Sequence, residues 1–124
     1  MKFLTGVFIF TCLTFPVFSQ SAASERFKGL SDTMGRTLSN SQSKLEYYDS
    51  EVNDTTNMKT FTYYRKKHEN YLKALRDSEA KLDLLIRTND KADAVKKERD
   101  NYASLIDELE STKSDYDSWL RSVQ

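Results

Sequence analysis

The chain has 124 residues, 19 of them basic and 19 acidic, so its formal net charge at neutral pH is zero. That balance gives no electrostatic case for binding nucleic acid or an anionic membrane surface. A length of this order makes one domain, and a single cysteine, Cys12, allows no disulfide within the chain.

The N-terminus reads MKFLTGVFIFTCLTFPVF, one basic residue and then an apolar run, followed by the small polar residues Ser19-Gln20-Ser21. This is the layout of a secretory signal peptide. Val17 and Ser19 suit the small-residue positions before a cut, which predicts a signal peptide over residues 1–19; cleavage after Ala23 is the alternative. A retained membrane anchor would want about 20 apolar residues, and this run is shorter and broken by Pro16. Lipidation at Cys12 would want a small neighbour, which Ile9-Phe10-Thr11 does not supply. The expectation is therefore an exported protein, periplasmic or extracellular, with no stable membrane span after cleavage. Lys2 and Cys12 leave with the signal, so the exported chain holds one more acid than base and no cysteine. Without disulfides it must rely on helix packing or on oligomerisation.

Residues 20–30 are Ser-rich and include Gly29, with Gly35 close behind. Each glycine costs about 0.8–1.0 kcal/mol against alanine inside a helix. Phe27, Leu30, Met34, Leu38, Leu45, Tyr48 and Val52 nonetheless keep helical spacing. The reading is a flexible lead-in over 20–30, with helix on packing as its alternative, then a bundle domain over 31–124 whose first helix covers 31–52. After Gly35 neither glycine nor proline occurs, while Leu, Lys, Glu and Arg are plentiful. A β or α/β domain would need the turn chemistry that is missing, so the fold class is all-α.

Asn53-Asp54-Thr55-Thr56-Asn57 is a run of short polar residues that compete for backbone hydrogen bonds, and it predicts a turn. A second helix follows over 59–87. Phe61, Tyr64, His68, Leu72, Leu75, Leu82 and Ile86 recur at steps of three and four, with Glu79 interrupting. These residues form one apolar stripe, opposite Lys66, Lys67, Lys73, Arg76, Asp77, Lys81 and Asp83. Thr88-Asn89-Asp90 predicts a second turn, with Asn89 or Asp90 capping a third helix over 91–122. There Tyr102, Ile106, Leu109, Tyr116, Leu120 and Val123 alternate by four and three, with Lys113 in the polar slot and Val95 and Arg99 extending the register upstream. Such alternation marks a left-handed helix–helix seam.

A turn centred between Thr55 and Thr56 would bring Tyr47-Tyr48 level with Tyr63-Tyr64. A turn near Asn89 would set Lys96, Lys97 and Arg99 beside Glu79 and Asp83. It would also oppose Asp107, Glu108 and Glu110 to Lys67, Lys73 and Arg76. Three helices with short loops then form an antiparallel up-down-up three-helix bundle. The rival arrangement is a longer two-helix coiled coil completed by self-association.

Few residues invite chemistry. His68 lies on the apolar stripe, where it packs, and no second histidine or carboxylate stands one turn away toward the core; Met34 and Met58 are the remaining soft ligands a haem could use. Glycine-rich phosphate loops, a cysteine nucleophile, HExxH and a glycine-flanked serine are all missing from the sequence. Carboxylate pairs such as Asp115/Asp117 fall on the solvated face. The expectation is a protein without cofactor, metal or catalytic residue. Asn53-Asp54-Thr55 is an N-glycosylation sequon that matters in a eukaryotic secretory pathway. Adjacent tyrosines on a helix diverge by about 100°, so one of each pair faces outward. Tyr47, Tyr48, Tyr63 and Tyr64 beside Arg65, Lys66 and Lys67 have the composition favoured at protein interfaces, and Trp119 is a second anchor or a clip on the last turn. This predicts action through protein–protein contact, as a structural subunit, adaptor or assembly factor, with other proteins or a second copy of itself as the candidate partners. The alternatives are a holdase-type chaperone with oligomeric arms, and a carrier for a small apolar ligand held between helices.

Overall fold

The computed structural model describes residues 15–88 and 91–123, with side chains from residue 22 onward. The first fourteen residues of the expected signal peptide, including Cys12, lie outside the described residues, as do the expected caps Asn89 and Asp90. The described chain is three helices, with no strand among the described residues: α1 (Phe15–Val52), α2 (Thr56–Arg87) and α3 (Ala92–Val123). Every pair of helices is in contact.

The polar run after α1 turns the chain by a specific device. Asn53 takes the left-handed conformation at φ 53°, the Asn53 N–H donates to the Ser50 carbonyl and the Asp54 N–H to that of Asp49. That bond pair is the Schellman ending, which satisfies carbonyls the last turn leaves over. Thr55 precedes α2 but supplies no side-chain cap. The cap comes instead from the end of α1: the buried Asp49 carboxylate accepts from the backbone N–H groups of Asn57 at 3.2 Å and Met58 at 2.8 Å. At the far end of α2, the Thr88 hydroxyl donates to the Leu84 and Leu85 carbonyls, closing the helix.

Contacts between helices set their directions. Ser24 meets Glu79, His68 meets the Ser31 carbonyl and Asp49 meets Met58, so α1 and α2 run antiparallel. Tyr71 with Glu108 and Ser78 with Glu98 make α2 and α3 antiparallel, in the register expected of a turn near Asn89. Phe27, Met34, Leu38, Leu45, Phe61, Leu75, Leu82, Tyr102, Ile106, Leu109 and Tyr116 are buried together as the core, drawn from all three helices.

The first helix decides between the two expectations for its early part. Residues 20–30 are helix rather than a flexible lead-in, and α1 reaches back well before residue 31. Phe27 is buried with its ring edge-on to Tyr102 at 6.4 Å, Ala23 and Leu30 pack against the core, and Arg26 pairs with Asp107 and Glu110 of α3. Burying an aromatic side chain gives about 1.5–3 kcal/mol, enough to offset the helix cost of Gly29.

The seams follow spacing more strictly than side-chain type. In α2 the inward positions are Phe61, Tyr64, His68, Tyr71, Leu75, Ser78, Leu82 and Leu85, alternating by three and four without a break. Tyr71 shares the inward face with the expected Leu72, which also packs against the core; Ser78 fills the slot where Glu79 was expected to interrupt, and Leu85 is half-buried where the expected Ile86 is exposed. In α3 the inward series is Val95, Glu98, Tyr102, Leu105, Leu109, Thr112, Tyr116, Trp119 and Val123, flanked by Ile106 and Leu120. Thr112 is buried where Lys113 was expected, and Lys113 pairs with Asp117 at 2.7 Å; Glu98 is buried where Arg99 was expected. A left-handed supercoil holds one stripe against its neighbours at this period, so position outranks hydrophobicity.

The expected ion pairs across the second turn also change partners. Lys96 pairs with Asp100, Asp83 with Arg87 and Lys73 with Asp77, each one turn away on its own helix. Asp107 and Glu110 go to Arg26 of α1, and Glu108 accepts from Tyr71. Exposed pairs are worth only about 0–1 kcal/mol, so the nearest partner takes them without changing the register.

Candidate interaction surface

Three of the expected interface residues meet at the end of the bundle that carries the first turn. Tyr64 occupies an inward position of α2, which turns its ring toward α3. It stands edge-on to the buried Tyr116 at 5.2 Å and tilted against Trp119 at 6.2 Å, with Tyr116 and Trp119 5.6 Å apart. Such offset and edge-on pairs are worth about 0.5–1.5 kcal/mol beyond burial. Trp119 is half-buried, so it clips the last turns of α3 onto Tyr64. Burial, then the charge of Asp115, raises the Tyr64 phenol above its ordinary range.

Tyr63, one residue back, points to solvent and is 56% exposed. Its ring meets Tyr64 edge-on at 5.2 Å, and the Lys67 ammonium lies over its face at 5.3 Å. Contact with the Tyr63 hydroxyl raises Lys67 above its ordinary range, burial working against it. Arg65 lies over the buried Phe61 ring at 5.5 Å, and Lys66 is exposed. The cations and rings of this face therefore organise one another.

Tyr47 and Tyr48 do not join that stack. Tyr47 is 60% exposed and its hydroxyl donates to Glu51, while Tyr48 is half-buried against the core. Their rings contact each other at 6.3 Å. Among the described residues, no ring contact joins this pair to Tyr63 or Tyr64. Across the α1–α2 seam Ser31 meets His68 and Ser24 meets Glu79, while the Ser41 hydroxyl shares a 2.5 Å hydrogen bond with that of Tyr116 of α3. The α1–α2 pairing thus runs several residues out of the register that would align the tyrosine pairs. Asn53 is exposed at the head of the turn.

Other candidates are committed to packing. His68 is buried, its Nε2 lies 3.2 Å from the Ser31 carbonyl, and burial lowers its pKa below the ordinary histidine value. Met34 is fully buried and Met58 half-buried. Among the described residues no group of three His, Cys, Asp or Glu side chains is placed to hold a metal ion.

Sequence reasoning missed the buried carboxylate Glu98. It accepts from Ser78 at 2.7 Å and Asn101 at 2.9 Å, and Lys81 stands 3.2 Å away. Burial pushes this carboxyl up, but those three partners outweigh burial and hold it below its ordinary range. An ionised carboxylate whose oxygens are already engaged suits a satisfied polar layer between α2 and α3 better than proton transfer. A cleft of about 380 Å³ opens beside it, lined by Ala74, Asp77 and Leu105 among others. Unbroken three–four spacing was the signal that would have found both Ser78 and Glu98.

Comparison with protein-family models, with curated proteins and with solved structures finds no match for this chain. Among the described residues no helix is long and apolar enough to cross a membrane.

Proposed function

We propose that this chain is a small exported helical-bundle protein that acts by binding other proteins, as a structural subunit, adaptor or assembly factor. The observation that carries the proposal is the surface around Tyr63: a solvent-facing ring held between Lys67 and the Tyr64–Trp119–Tyr116 stack. Tyr, Trp and Arg are the side chains that most often anchor protein contacts, and rings held on rigid helices lose little entropy on binding. Export rests on the charged-then-apolar start of residues 1–19 and places the function in the periplasm or outside the cell.

Crosslinking in the native host tests the surface. Replacing Tyr63 and Lys67 by alanine is expected to remove at least one crosslinked partner while the helical signal stays intact. If every partner is recovered unchanged, the face is scaffold and the proposal fails. N-terminal sequencing of the protein recovered outside the cytoplasm is expected to begin at Gln20; recovery only inside the cytoplasm with Met1 retained overturns export.

A further inference from the structure

The first turn holds a motif that the contact surface does not use. Of the six asparagines in the chain, Asn53 is the one with a hydroxyl residue two positions on, Thr55, and no proline stands between them. That spacing is the acceptor pattern for N-linked glycosylation. Asn40, Asn57, Asn70 and Asn101 lie within helices, whereas Asn53 lies in the turn between α1 and α2. A three-residue pattern recurs by chance; access to its side chains makes it usable.

Every residue from Ser50 to Thr56 is exposed. The two groups a transferase must hold are the Asn53 carboxamide and the Thr55 hydroxyl. Neither makes a hydrogen bond among the described residues, and Thr55 gives α2 no side-chain cap. Other groups hold the turn together: Asp49 caps α2, and the Asn53 and Asp54 backbone N–H groups close α1. Asparagine tolerates the left-handed φ of 53°, so the turn needs the Asn53 backbone and leaves its carboxamide spare. A substituent on the exposed Nδ2 therefore breaks no contact of the folded bundle. Glu51, two residues before Asn53, is also exposed, with only the exposed Tyr47 hydroxyl as its side-chain partner. An acid at that place is the added requirement of transferases that act in a bacterial periplasm. The segment Glu51–Thr55 thus suits either export route.

We propose that Asn53 is an N-glycosylation site of the exported protein, its carboxamide the acceptor and a lipid-linked oligosaccharyl pyrophosphate the donor. Asn53 Nδ2 attacks the anomeric carbon of the donor, forming the C–N bond. The bond from that carbon to the pyrophosphate oxygen breaks, the lipid pyrophosphate leaves with the electron pair, and Nδ2 gives one proton to a base of the transferase. This rests on the export reading above, because such transferases face the compartment into which the chain is exported.

The test is intact mass and peptide fragmentation of the full protein recovered outside the cytoplasm of its native host, alongside its N-terminal sequence. A mass above that of the polypeptide counted from its sequenced N-terminus is expected, with the excess on Asn53. Asn53→Asp, which keeps a residue tolerant of the left-handed turn, and Thr55→Val, which keeps the shape without the hydroxyl, are each expected to lose the excess. Thr55→Ser is expected to retain it. These positions are exposed, so folding is checked by far-ultraviolet circular dichroism; the mass of the unaltered chain stands whether or not a variant folds. Release by peptide N-glycosidase, leaving aspartate at position 53, marks the donor of a eukaryotic secretory pathway. An excess on Asn53 that resists release marks a periplasmic donor. A protein with its signal removed and Asn53 unmodified overturns the proposal and leaves export standing. A cytoplasmic protein with Met1 retained and Asn53 unmodified overturns both. An excess that survives Asn53→Asp lies elsewhere and overturns the proposal as well.

Discussion

The Tyr102 hydroxyl donates a 2.6 Å hydrogen bond to the Glu79 carboxylate across the α2–α3 seam, and Ser24 of α1 donates to the same oxygen at 3.0 Å. All three helices meet at that carboxylate. Burial, then the bond to Glu79, raises the Tyr102 phenol well above its ordinary range, which favours the protonated, donating form.

Docking of the early part of α1 can therefore be measured. Phe27→Ala is expected to destabilise the fold by about 3–5 kcal/mol in urea unfolding, the usual cost of removing a buried aromatic ring. Gly29→Ala is expected to stabilise by about 0.8–1.0 kcal/mol, because the backbone there is helical and an added Cβ meets nothing within 4 Å. Were residues 20–30 a loose arm, both substitutions would be silent.

Ser41 and Tyr116 share one hydrogen bond but do not depend on it equally. Without Tyr116's hydroxyl, Ser41 still donates to the Thr37 and Leu38 carbonyls. Without Ser41's hydroxyl, that of the fully buried Tyr116 is left with no partner among the described residues. Ser41→Ala is expected to cost about 1–3 kcal/mol, Tyr116→Phe about 1 kcal/mol or less, and the double variant less than the sum. A Tyr116→Phe cost above that of Ser41→Ala contradicts this assignment.

The cap on α2 belongs to the preceding helix, which ties the first turn together. Asp49→Ala is expected to lower stability by about 0.5–2 kcal/mol, while Thr55→Ala, at the position just before α2, is expected to lower it far less. Hydrogen exchange at the Asn57 and Met58 amides is expected to speed up in the Asp49 variant. Unchanged exchange there would rule out the cap.

Two buried groups set acid sensitivity in separate windows. Burial holds the His68 imidazole below its ordinary value of 6.5, against the pull of the Ser31 carbonyl and the charge of Glu69. The unfolded chain takes up that proton first, so this contribution is complete above about pH 6.5 and is lost as pH falls through the folded value. Glu98 is also held below its ordinary value of 4.5, and its contribution is lost in the same direction but only in stronger acid. Unfolding free energies near pH 8, 5.5 and 3.5 are expected to show both steps. His68→Gln is expected to remove the first and leave the second. Ser78→Ala, which strips a donor from Glu98, is expected to shrink the second alone.

Much of the architecture was legible in local chemistry. Missing glycine and proline beyond Gly35 excluded β structure, and the polar run at Asn53 marked a turn whose left-handed residue is the asparagine itself. The exposed tyrosine of each pair follows from the angle between adjacent helical residues, and Tyr63 and Tyr47 are indeed the outward ones. Choosing the inward residues by hydrophobicity failed at Ile86, and the polar slots assigned to Glu79 and Lys113 fall one residue earlier, at the buried Ser78 and Thr112, because the inward series keeps its period even where the period lands on serine or threonine.

By itself, then, the sequence determined an all-helical chain, the place of its first turn and the mixture of rings and cations on α2, all of which depend on residues close together along the chain. Only the tertiary structure decided that residues 20–30 dock, that Glu98 is buried, that Asp49 caps a helix it does not belong to, and that Tyr64 stacks on Tyr116 rather than beside Tyr48. Each of these is settled by the axial offset between helices. A shift of a few residues changes every cross-helix partner while leaving each helix's own propensities and periodicity untouched, and the offset is chosen by how the three stripes pack together.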